Sequence, residues 1–203
     1  MTNVVYTIGH STHSYEELLR LLREAGVTAV ADVRSSPYSR HQPQFNREEL
    51  KEEFRRDKIS YAFLGAELGG RPKDKRLFCD RVADYEKMAR TSEFESGLDR
   101  IASGSRDFRI ALMCSEHDPL DCHRCLLVGR ALKFRDIEVK HILFNGCQKS
   151  QDEIEQELIL MLKQNRSDLF PDDQIAAAYR DRAMRVAFSE IEGSKAGASE
   201  AAE

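Results

Sequence analysis

A strand–helix–strand pattern in the first 33 residues constrains the fold more than any other part of the chain. Residues 4–8 (VVYTI) are β-branched and aromatic, which is typical of a buried strand. Ser14 and Glu17 have the spacing of a capping box at the start of an amphipathic helix, and Gly26 marks the end of that helix. Residues 28–33 (TAVADV) predict a second strand. Two strands joined by one helix through short connections form a βαβ unit, which implies parallel strands and a right-handed crossover.

The alternation continues less regularly along the rest of the chain. Further strands are predicted at residues 59–64, 108–113 and 139–144, and further helices at residues 78–88, 92–102, 171–188 and from 150 onward. We therefore predict a single three-layer α/β domain with a mostly parallel sheet of about five strands flanked by helices. We expect this domain to occupy residues 1–188 and the acidic residues 189–203 to form a disordered tail.

The composition is typical of a globular domain and argues against general DNA binding. The chain has 203 residues, of which 41% are hydrophobic and 33% are charged, as in a soluble globular domain. Its net charge of −4 argues against a protein that coats DNA through general electrostatic attraction, although it is compatible with a local basic cleft.

The sequence also predicts the compartment. No apolar run reaches the roughly 20 residues that span a bilayer, and the first residues lack the features of a secretory signal. Five cysteines, an odd number, favour reduced thiols over a disulfide framework. We therefore expect a cytoplasmic protein with no membrane partner, whose oligomeric state the sequence does not determine.

Reactive and flexible residues follow four of the predicted strands. They are His10, Arg34, Ser36, Arg40, Gly69, Gly70, Cys114 and Glu116. In open α/β sheets, ligands bind beyond the carboxyl ends of the strands, and parallel strands bring these loops to one edge. Several of the assignments have simpler alternatives. Arg34 and Arg40 could be ordinary surface arginines. His10 could be a strand-end residue bonded to backbone, and Gly69 and Gly70 could form an ordinary turn.

The run CSEHDPLDCHRC at residues 114–125 holds three of the five cysteines, and two interpretations of it depend on the CxxC spacing. Cys114, Cys122, His123 and Cys125 supply enough soft ligands for zinc or iron. On the first turn of a helix, however, Cys122 and Cys125 would share a face while His123 points elsewhere. Alternatively, a CxxC dithiol at a helix N-terminus is a redox arrangement that lowers a thiol pKa.

A third interpretation of the same run is a thiol in an anion site. Cys114 ends a predicted strand, a loop follows, and Arg124 lies in the first turns of the next helix. Free amides and the positive end of a helix attract anions and favour a thiolate nearby. This interpretation makes Cys114 a candidate nucleophile, with Glu116 available for proton transfer.

Four ordered motifs together resemble a known family. They are TIGHST at residues 7–12, DVRSSP at 32–37 with Ser39 and Arg40, LG at 64–65 with LGG at 68–70, and Cys114-x-Glu116 with CHR at 122–124. In this order they resemble the DUF488 family of uncharacterised proteins, over about residues 5–185. The resemblance implies an α/β fold and a site built from the positions that the family pattern marks, which exclude Cys125. Those positions are His10, Arg34, Arg40, Cys114, Glu116, Cys122, His123 and Arg124.

Together these observations predict a small enzyme, a Cys-dependent hydrolase or transferase, acting on an anionic substrate that bears a phosphate or is related to a nucleotide or nucleic acid. Cys114, Glu116 and His10 are its predicted catalytic residues. The predicted substrate-binding residues are Arg34, Ser36, Arg40, Gly69, Gly70, Cys122, His123 and Arg124, because guanidinium groups match phosphate bidentately and the others share their loops.

We predict no cofactor and no metal at this site. Two alternatives stay open. One is a non-catalytic module that binds a nucleotide or nucleic acid, and the other is a metal-binding protein that uses Cys114, Cys122, His123 and Cys125.

Overall fold

Parallel strands form the middle layer of the structure, a computed structural model that describes residues 4–165 and 174–190. In chain order the strands are β1 (Val4–Gly9), β2 (Ala29–Asp32), β3 (Ser60–Phe63), β4 (Phe78–Cys79), β5 (Val82–Ala83), β6 (Ile110–Cys114), β7 (Glu138–Ile142) and β8 (Gln148–Ser150). Within the described residues, six of these strands form one sheet in the order β3-β2-β6-β1-β7-β8. All neighbours in this sheet are parallel except β8, which pairs antiparallel with β7 at one edge.

Helices cover both faces of this sheet. They are α1 (Tyr15–Glu24), α2 (Arg47–Arg56), α3 (Gly65–Leu68), α4 (Tyr85–Met88), α5 (Ser92–Gly104), α6 (Arg130–Lys133), α7 (Gln151–Asn165) and α8 (Gln174–Val186). A π-helical segment, Arg124–Gly129, runs directly into α6. One hydrophobic core contains Leu18 and Phe54 from α1 and α2, and the other contains Leu98 and Leu158 from α5 and α7. The predicted three-layer α/β fold with a mostly parallel sheet is confirmed.

The βαβ unit is built as its sequence predicts. The Ser14 hydroxyl accepts a hydrogen bond from the amide of Glu17 at 3.2 Å, which caps α1. Leu18 and Leu22 on its buried face are fully shielded from solvent, and burial of each such side chain contributes about 1.5–3 kcal/mol. Gly26 after the helix has a φ of 68°, the left-handed conformation that glycine adopts most readily.

The predicted helix at residues 78–88 is wrong over its first half. β4 and β5 form a small antiparallel hairpin there, and only the short α4 follows it. Asp80 and Arg81 make the turn with φ values of 48° and 67°. Because neither residue is glycine or asparagine, the sequence carries no ordinary signal for this turn.

The C-terminal part of the chain is described only up to Glu190. Ser189 forms an isolated antiparallel bridge with Val82, and the amide of Glu190 donates to the carbonyl of Arg81 at 3.1 Å. Residues 191–203, most of the predicted tail, lie outside the described residues, so the boundary at 188 stays a prediction. In the part that is described, no helix is both long and apolar enough to cross a membrane.

The register of the sheet aligns the strand ends that precede the predicted site loops. Gly9 at the end of β1 pairs with Cys114 at the end of β6. Asp32 at the end of β2 pairs with Met113 on one side and Phe63 on the other. The four loops that follow β1, β2, β3 and β6 therefore leave the sheet at one edge, as the parallel arrangement requires.

Candidate functional site

Two thiols, one carboxylate and one imidazole converge beyond the end of β6. The Oε2 atom of Glu116 lies 2.8 Å from Sγ of Cys114 and 3.0 Å from Sγ of Cys122. Nδ1 of His123 lies 3.8 Å from each of the two sulfur atoms. These four donor atoms all lie within 4.8 Å of one another. Such a set of soft and borderline donors can bind a metal ion, transfer protons or present a thiolate.

The backbone before the π-helical segment explains why these side chains meet. A short 3₁₀ turn, Pro119–Asp121, is followed by Cys122 in an extended conformation, with φ −136° and ψ 139°. Only from His123 onward is the backbone helical. Cys122 therefore lies outside the helix, and its side chain turns back towards the end of β6.

His123 presents a lone pair to the thiols. Its Nε2 atom lies 2.9 Å from the carbonyl oxygen of Val33, which can only accept a hydrogen bond, so Nε2 carries a proton. Nδ1 then faces the two sulfur atoms in the neutral ring. Burial, the largest single effect, acts to lower the pKa of His123, but the charge and hydrogen bond of Cys122, the charge of Glu116 and the Val33 carbonyl together raise it.

The acidic groups of the cluster compete for protons. Burial raises the pKa of Cys114 far above the usual thiol value. Burial and the negative charge of Cys122 both raise the pKa of Glu116. Burial acts on Cys122 in the same direction, but the Cys114 hydrogen bond and the charges of Arg124 and His123 bring its pKa well below the usual value. Of the two thiols, Cys122 is therefore the one that ionises more readily.

Arg124 lies beneath the cluster and is fully buried. Its Nη1 donates to the carbonyl of Glu116 at 2.7 Å, and its Nη2 donates to the carbonyl of His117 at 3.1 Å. The amide of Arg124 lies 3.4 Å from Sγ of Cys122. Its Nε atom has no hydrogen-bond partner among the described residues. Arg124 thus fixes the loop that carries Glu116 and supplies a buried positive charge to the thiols.

Arg34 is held by a buried ion pair. Its Nε and Nη2 atoms donate to the two oxygens of Asp32 at 2.9 and 2.6 Å, and the Tyr61 hydroxyl donates to Oδ2 of Asp32 at 2.7 Å. Nη1 of Arg34 lies 3.3 Å from Nε2 of His10, which stacks on Phe45. Burial and the charge of Arg34 lower the pKa of His10 to about 4, so its ring is neutral near pH 7.

A mostly polar cavity of about 180 Å³ opens beside the cluster. Its lining comprises Arg34, Ser35, Ser36, Gly70, Arg71, Tyr85, Cys114, Ser115, Glu116, Asp121, His123, Val186, Ala187 and Phe188. Among the described residues, therefore, six of the predicted site positions line it: Arg34, Ser36, Gly70, Cys114, Glu116 and His123.

Neighbouring atoms lie so close to the backbone at two positions that only glycine fits there. A Cβ atom on Gly70 would lie 2.7 Å from Cγ of His123, and a Cβ atom on Gly9 would lie 1.9 Å from the carbonyl oxygen of Glu116. Because neither position has room for a side chain, Gly70 fits against the His123 ring and Gly9 allows the Glu116 loop to cross β1.

The remaining predicted residues are not part of the cavity lining. Cys122 belongs to the cluster, and His10 contacts Arg34 from behind. Arg124 lies below the thiols, and a Cβ atom on Gly69 would meet the Ser35 hydroxyl at 2.4 Å. Arg40 is exposed on the loop after β2.

Two expectations about the cysteine run are wrong. His123 does not point away from the thiols, since its Nδ1 atom faces both. Cys125 does not share a face with Cys122, because its sulfur atom lies 3.5 Å from Nε2 of Gln151, on α7. The alternative metal site therefore loses Cys125 and gains Glu116.

Sequence reasoning missed several residues of the site. Tyr61 in β3 supports Asp32, and Tyr85, Val186 and Phe188 line the cavity. Arg71, which follows Gly70 after the third predicted strand, also lines the cavity but was not among the predicted site residues. The polar residues at strand ends provided a signal for this site, whereas these apolar and aromatic side chains have no local pattern that distinguishes them from core residues.

The fold and the cluster define an α/β protein whose site combines two thiols, an imidazole and a carboxylate at the carboxyl edge of a parallel sheet. A family model described as "Domain of unknown function DUF488" matches residues 14–131, more than half of the chain. The chain belongs to this family. The matched range is shorter than the predicted residues 5–185 and leaves out His10. No curated protein matches the chain.

Proposed function

We propose that this protein is a small metalloenzyme that binds one zinc or ferrous ion at Cys114, Cys122, His123 and Glu116. The single observation that carries the proposal is the convergence of four donor atoms within 4.8 Å of one another. Two thiolates and an imidazole are ligands that zinc and ferrous iron accept, whereas magnesium and calcium prefer oxygen donors alone. The adjoining cavity gives a small substrate access to the ion through Cys114, Glu116 and His123.

The distances fit such a site. Tetrahedral zinc bonds of about 2.3 Å to sulfur and 2.0 Å to nitrogen would separate sulfur from nitrogen by about 3.6 Å. The separation between Nδ1 of His123 and each sulfur is 3.8 Å. Glu116 lies closer to the sulfurs because it forms hydrogen bonds with the thiols, so it must shift outward when an ion replaces their protons. Because Glu116 lines the cavity and must already shift to bind the ion, it is the donor that a substrate would displace.

The groups that surround the four donors also fit a bound divalent ion. Two thiolates and one carboxylate carry one more negative charge than a divalent ion compensates, and the buried guanidinium of Arg124 supplies the remaining positive charge. His123 donates its other ring proton to the Val33 carbonyl, which is the arrangement that orients histidine ligands in metal sites. A bound divalent ion would polarise a substrate oxygen or activate a water molecule.

Elemental analysis tests this proposal. The protein is purified without chelator or affinity metal under reducing conditions, with Cys122→Ser, His123→Ala and Cys125→Ser variants in parallel. We expect one zinc or iron per chain in the wild type and in Cys125→Ser, because Cys125 is a buried neighbouring thiol that contacts Gln151 instead. We expect Cys122→Ser and His123→Ala to lose the ion.

Thermal unfolding provides a second readout. Added zinc at about 100 times its dissociation constant stabilises a protein with one site by about 2.7 kcal/mol, so the unfolding temperature of the wild type and Cys125→Ser should rise. Absence of metal in purified wild type, combined with no zinc- or iron-dependent rise, would contradict the proposal.

A second candidate is a metal-free, cysteine-dependent enzyme that acts on an anionic substrate. The observation that favours it is that Cys114, Glu116 and Arg34 all line one cavity, so a nucleophile, a proton-transfer group and a cation face the same space. A panel of nucleotides and p-nitrophenyl phosphate separates the two candidates. Turnover that persists with a chelator and disappears in Cys114→Ser supports the thiol mechanism. Turnover that a chelator abolishes and zinc or iron restores supports the metal.

If the panel shows saturable binding without product in both wild type and Cys114→Ala, the protein is a binding module, and both enzyme proposals fail.

A further inference from the structure

One wall of the cavity comes from the end of α8, outside the residues that match the family model. Val186, Ala187 and Phe188 line the cavity, whereas the family match ends at residue 131. Cys114, Glu116 and His123 line the same cavity. We call residues 186–190 the C-terminal strap. The strap therefore adds apolar residues to the lining of a cavity that also contains the polar cluster.

Backbone pairing fixes the strap to the β4–β5 hairpin. The amide of Ala83 donates to the carbonyl of Phe188 at 2.9 Å, and Ser189 forms an antiparallel bridge with Val82. Glu190 forms an ion pair with Lys75. The strap therefore extends the hairpin as a third short strand, and this position does not depend on a single side chain.

The Phe188 ring has partners on two sides. It contacts the Phe78 ring edge-on, with centroids 6.4 Å apart, and the guanidinium of Arg71 lies 5.1 Å from its centroid. Both Arg71 and Phe188 line the cavity. The hairpin, the strap and the loop after α3 thus meet at this ring, which forms part of the cavity lining.

Helix α8 is itself anchored to the core. Tyr179 is buried, accepts a hydrogen bond from Nε2 of Gln151 at 2.7 Å and donates one to Glu155 at 3.0 Å. Arg182 donates to the carbonyl of Leu120 at 3.0 Å, beside the 3₁₀ turn that precedes Cys122. The strap is therefore held at a fixed distance from the thiols.

We propose that the C-terminal strap determines which molecules reach Cys114, and that the site takes a small molecule with one polar and one apolar end. The polar end faces Arg34, Glu116 and the thiols, and the apolar end packs against Val186, Ala187 and Phe188. A cavity of about 180 Å³ matches the size of a small molecule better than that of a nucleic-acid strand. This proposal concerns access and does not depend on which chemistry the cluster performs.

Thiol reactivity in metal-free protein tests the proposal without a known substrate. Cys79, Cys125 and Cys147 are replaced by serine, so that only the two thiols of the cluster remain. The rate of modification at Cys114 is followed by peptide mapping with two reagents of different size, N-methylmaleimide and N-(1-pyrenyl)maleimide. The variants Phe188→Ala and Ala187→Trp enlarge and fill the cavity, and Phe134→Ala, at an exposed position outside the cavity lining, is the control.

We expect Phe188→Ala to raise the rate with the pyrenyl reagent by about tenfold, with a much smaller change for the methyl reagent. Ala187→Trp should slow both reactions, and Phe134→Ala should change neither. Equal rate ratios for the two reagents in wild type and Phe188→Ala would overturn the proposal. If Phe188→Ala does not fold, Ala187→Trp decides: unchanged rates with both reagents also overturn it. The test uses metal-free protein, so its outcome does not depend on whether the cluster binds a metal. Failure of the access proposal is therefore distinguishable from failure of the metal proposal.

Discussion

His141 should make the stability of the protein depend strongly on pH between about 3 and 6.5. It lies in β7, is fully buried, and is bonded at 2.8 Å to both Thr7 and Gln151. The side-chain oxygen of Gln151 can only accept, so Nε2 of His141 donates to it and Nδ1 accepts from the Thr7 hydroxyl. The ring is therefore neutral, and burial lowers its pKa from 6.5 to about 3.

The sign and size of the effect follow from this shift. Between these two pKa values the unfolded chain binds a proton at His141 and the native protein does not, so lowering the pH favours unfolding. The stabilising contribution of the neutral ring is fully present above about pH 6.5 and is lost progressively as the pH falls towards 3. At pH 5 the loss amounts to about 2 kcal/mol, a large part of the stability of an ordinary domain.

Urea denaturation at pH 7.5 and pH 5.0 measures this contribution when the wild type is compared with His141→Gln. A glutamine can still donate to the Gln151 oxygen, but it does not titrate. We expect the wild type to lose about 2 kcal/mol more than His141→Gln between the two pH values. His10, whose pKa burial and Arg34 lower to about 4, contributes to both proteins and cancels in the comparison.

His41→Gln is the matched control, because His41 is exposed. It should show the same loss as the wild type. The reasoning about His141 is refuted if His141→Gln loses as much stability between pH 7.5 and pH 5.0 as the wild type does.

Two further substitutions probe the support of the cluster. In Gly70→Ala the new Cβ would lie 2.7 Å from Cγ of His123, so the ring must shift, and we expect zinc affinity to fall by about 10- to 100-fold in a chelator competition assay. In Arg124→Leu the carbonyls of Glu116 and His117 lose their buried donors, and urea denaturation of the metal-free protein should show a loss of about 3 kcal/mol. Wild-type values in either assay would contradict these roles.

The parts of the fold that depend on local signals could be predicted from the sequence. The Ser14 cap, the leucine stripe of α1 and the β-branched runs of β1 and β2 each act within a few residues, and together they fix a parallel sheet. That sheet in turn brings Gly9 and Cys114 to the same edge. The sheet edge at which the candidate site lies could therefore be predicted from the sequence, whereas the arrangement of its side chains could not.

The parts that depend on contacts between distant segments could not be predicted. β4 and β5 are two residues each, and the turn between them uses two non-glycine residues at positive φ. The strap that pairs with β5 comes from more than 100 residues further along the chain. Likewise, β8 pairs with β7 through a short turn, and its sequence, QKS, has no apolar alternation.

The cysteine run shows how one backbone detail changes the chemistry of a motif. A regular helix starting before Cys122 would place it on one face with Cys125, as the sequence predicts. The extended conformation of Cys122 separates the two thiols, which are only three residues apart. Cys122 gains Glu116 and His123 as neighbours, whereas burial next to Gln151 raises the pKa of Cys125 to about 12. One thiol of the CxxC spacing thus belongs to the cluster, and the other is part of the core.

Gln151 explains why the C-terminal helices, outside the family match, belong to the same functional unit. Its side chain contacts His141 in β7, Cys125 in the π-helical segment and Tyr179 in α8. These contacts connect the sheet, the π-helical segment that directly follows the cluster residue His123, and the helix that leads into the strap. Because buried polar groups that lose a partner are costly, a shift of α8 would be opposed by all three contacts. The position of the strap therefore depends on these core contacts of α8 as well as on its backbone pairing with the β4–β5 hairpin.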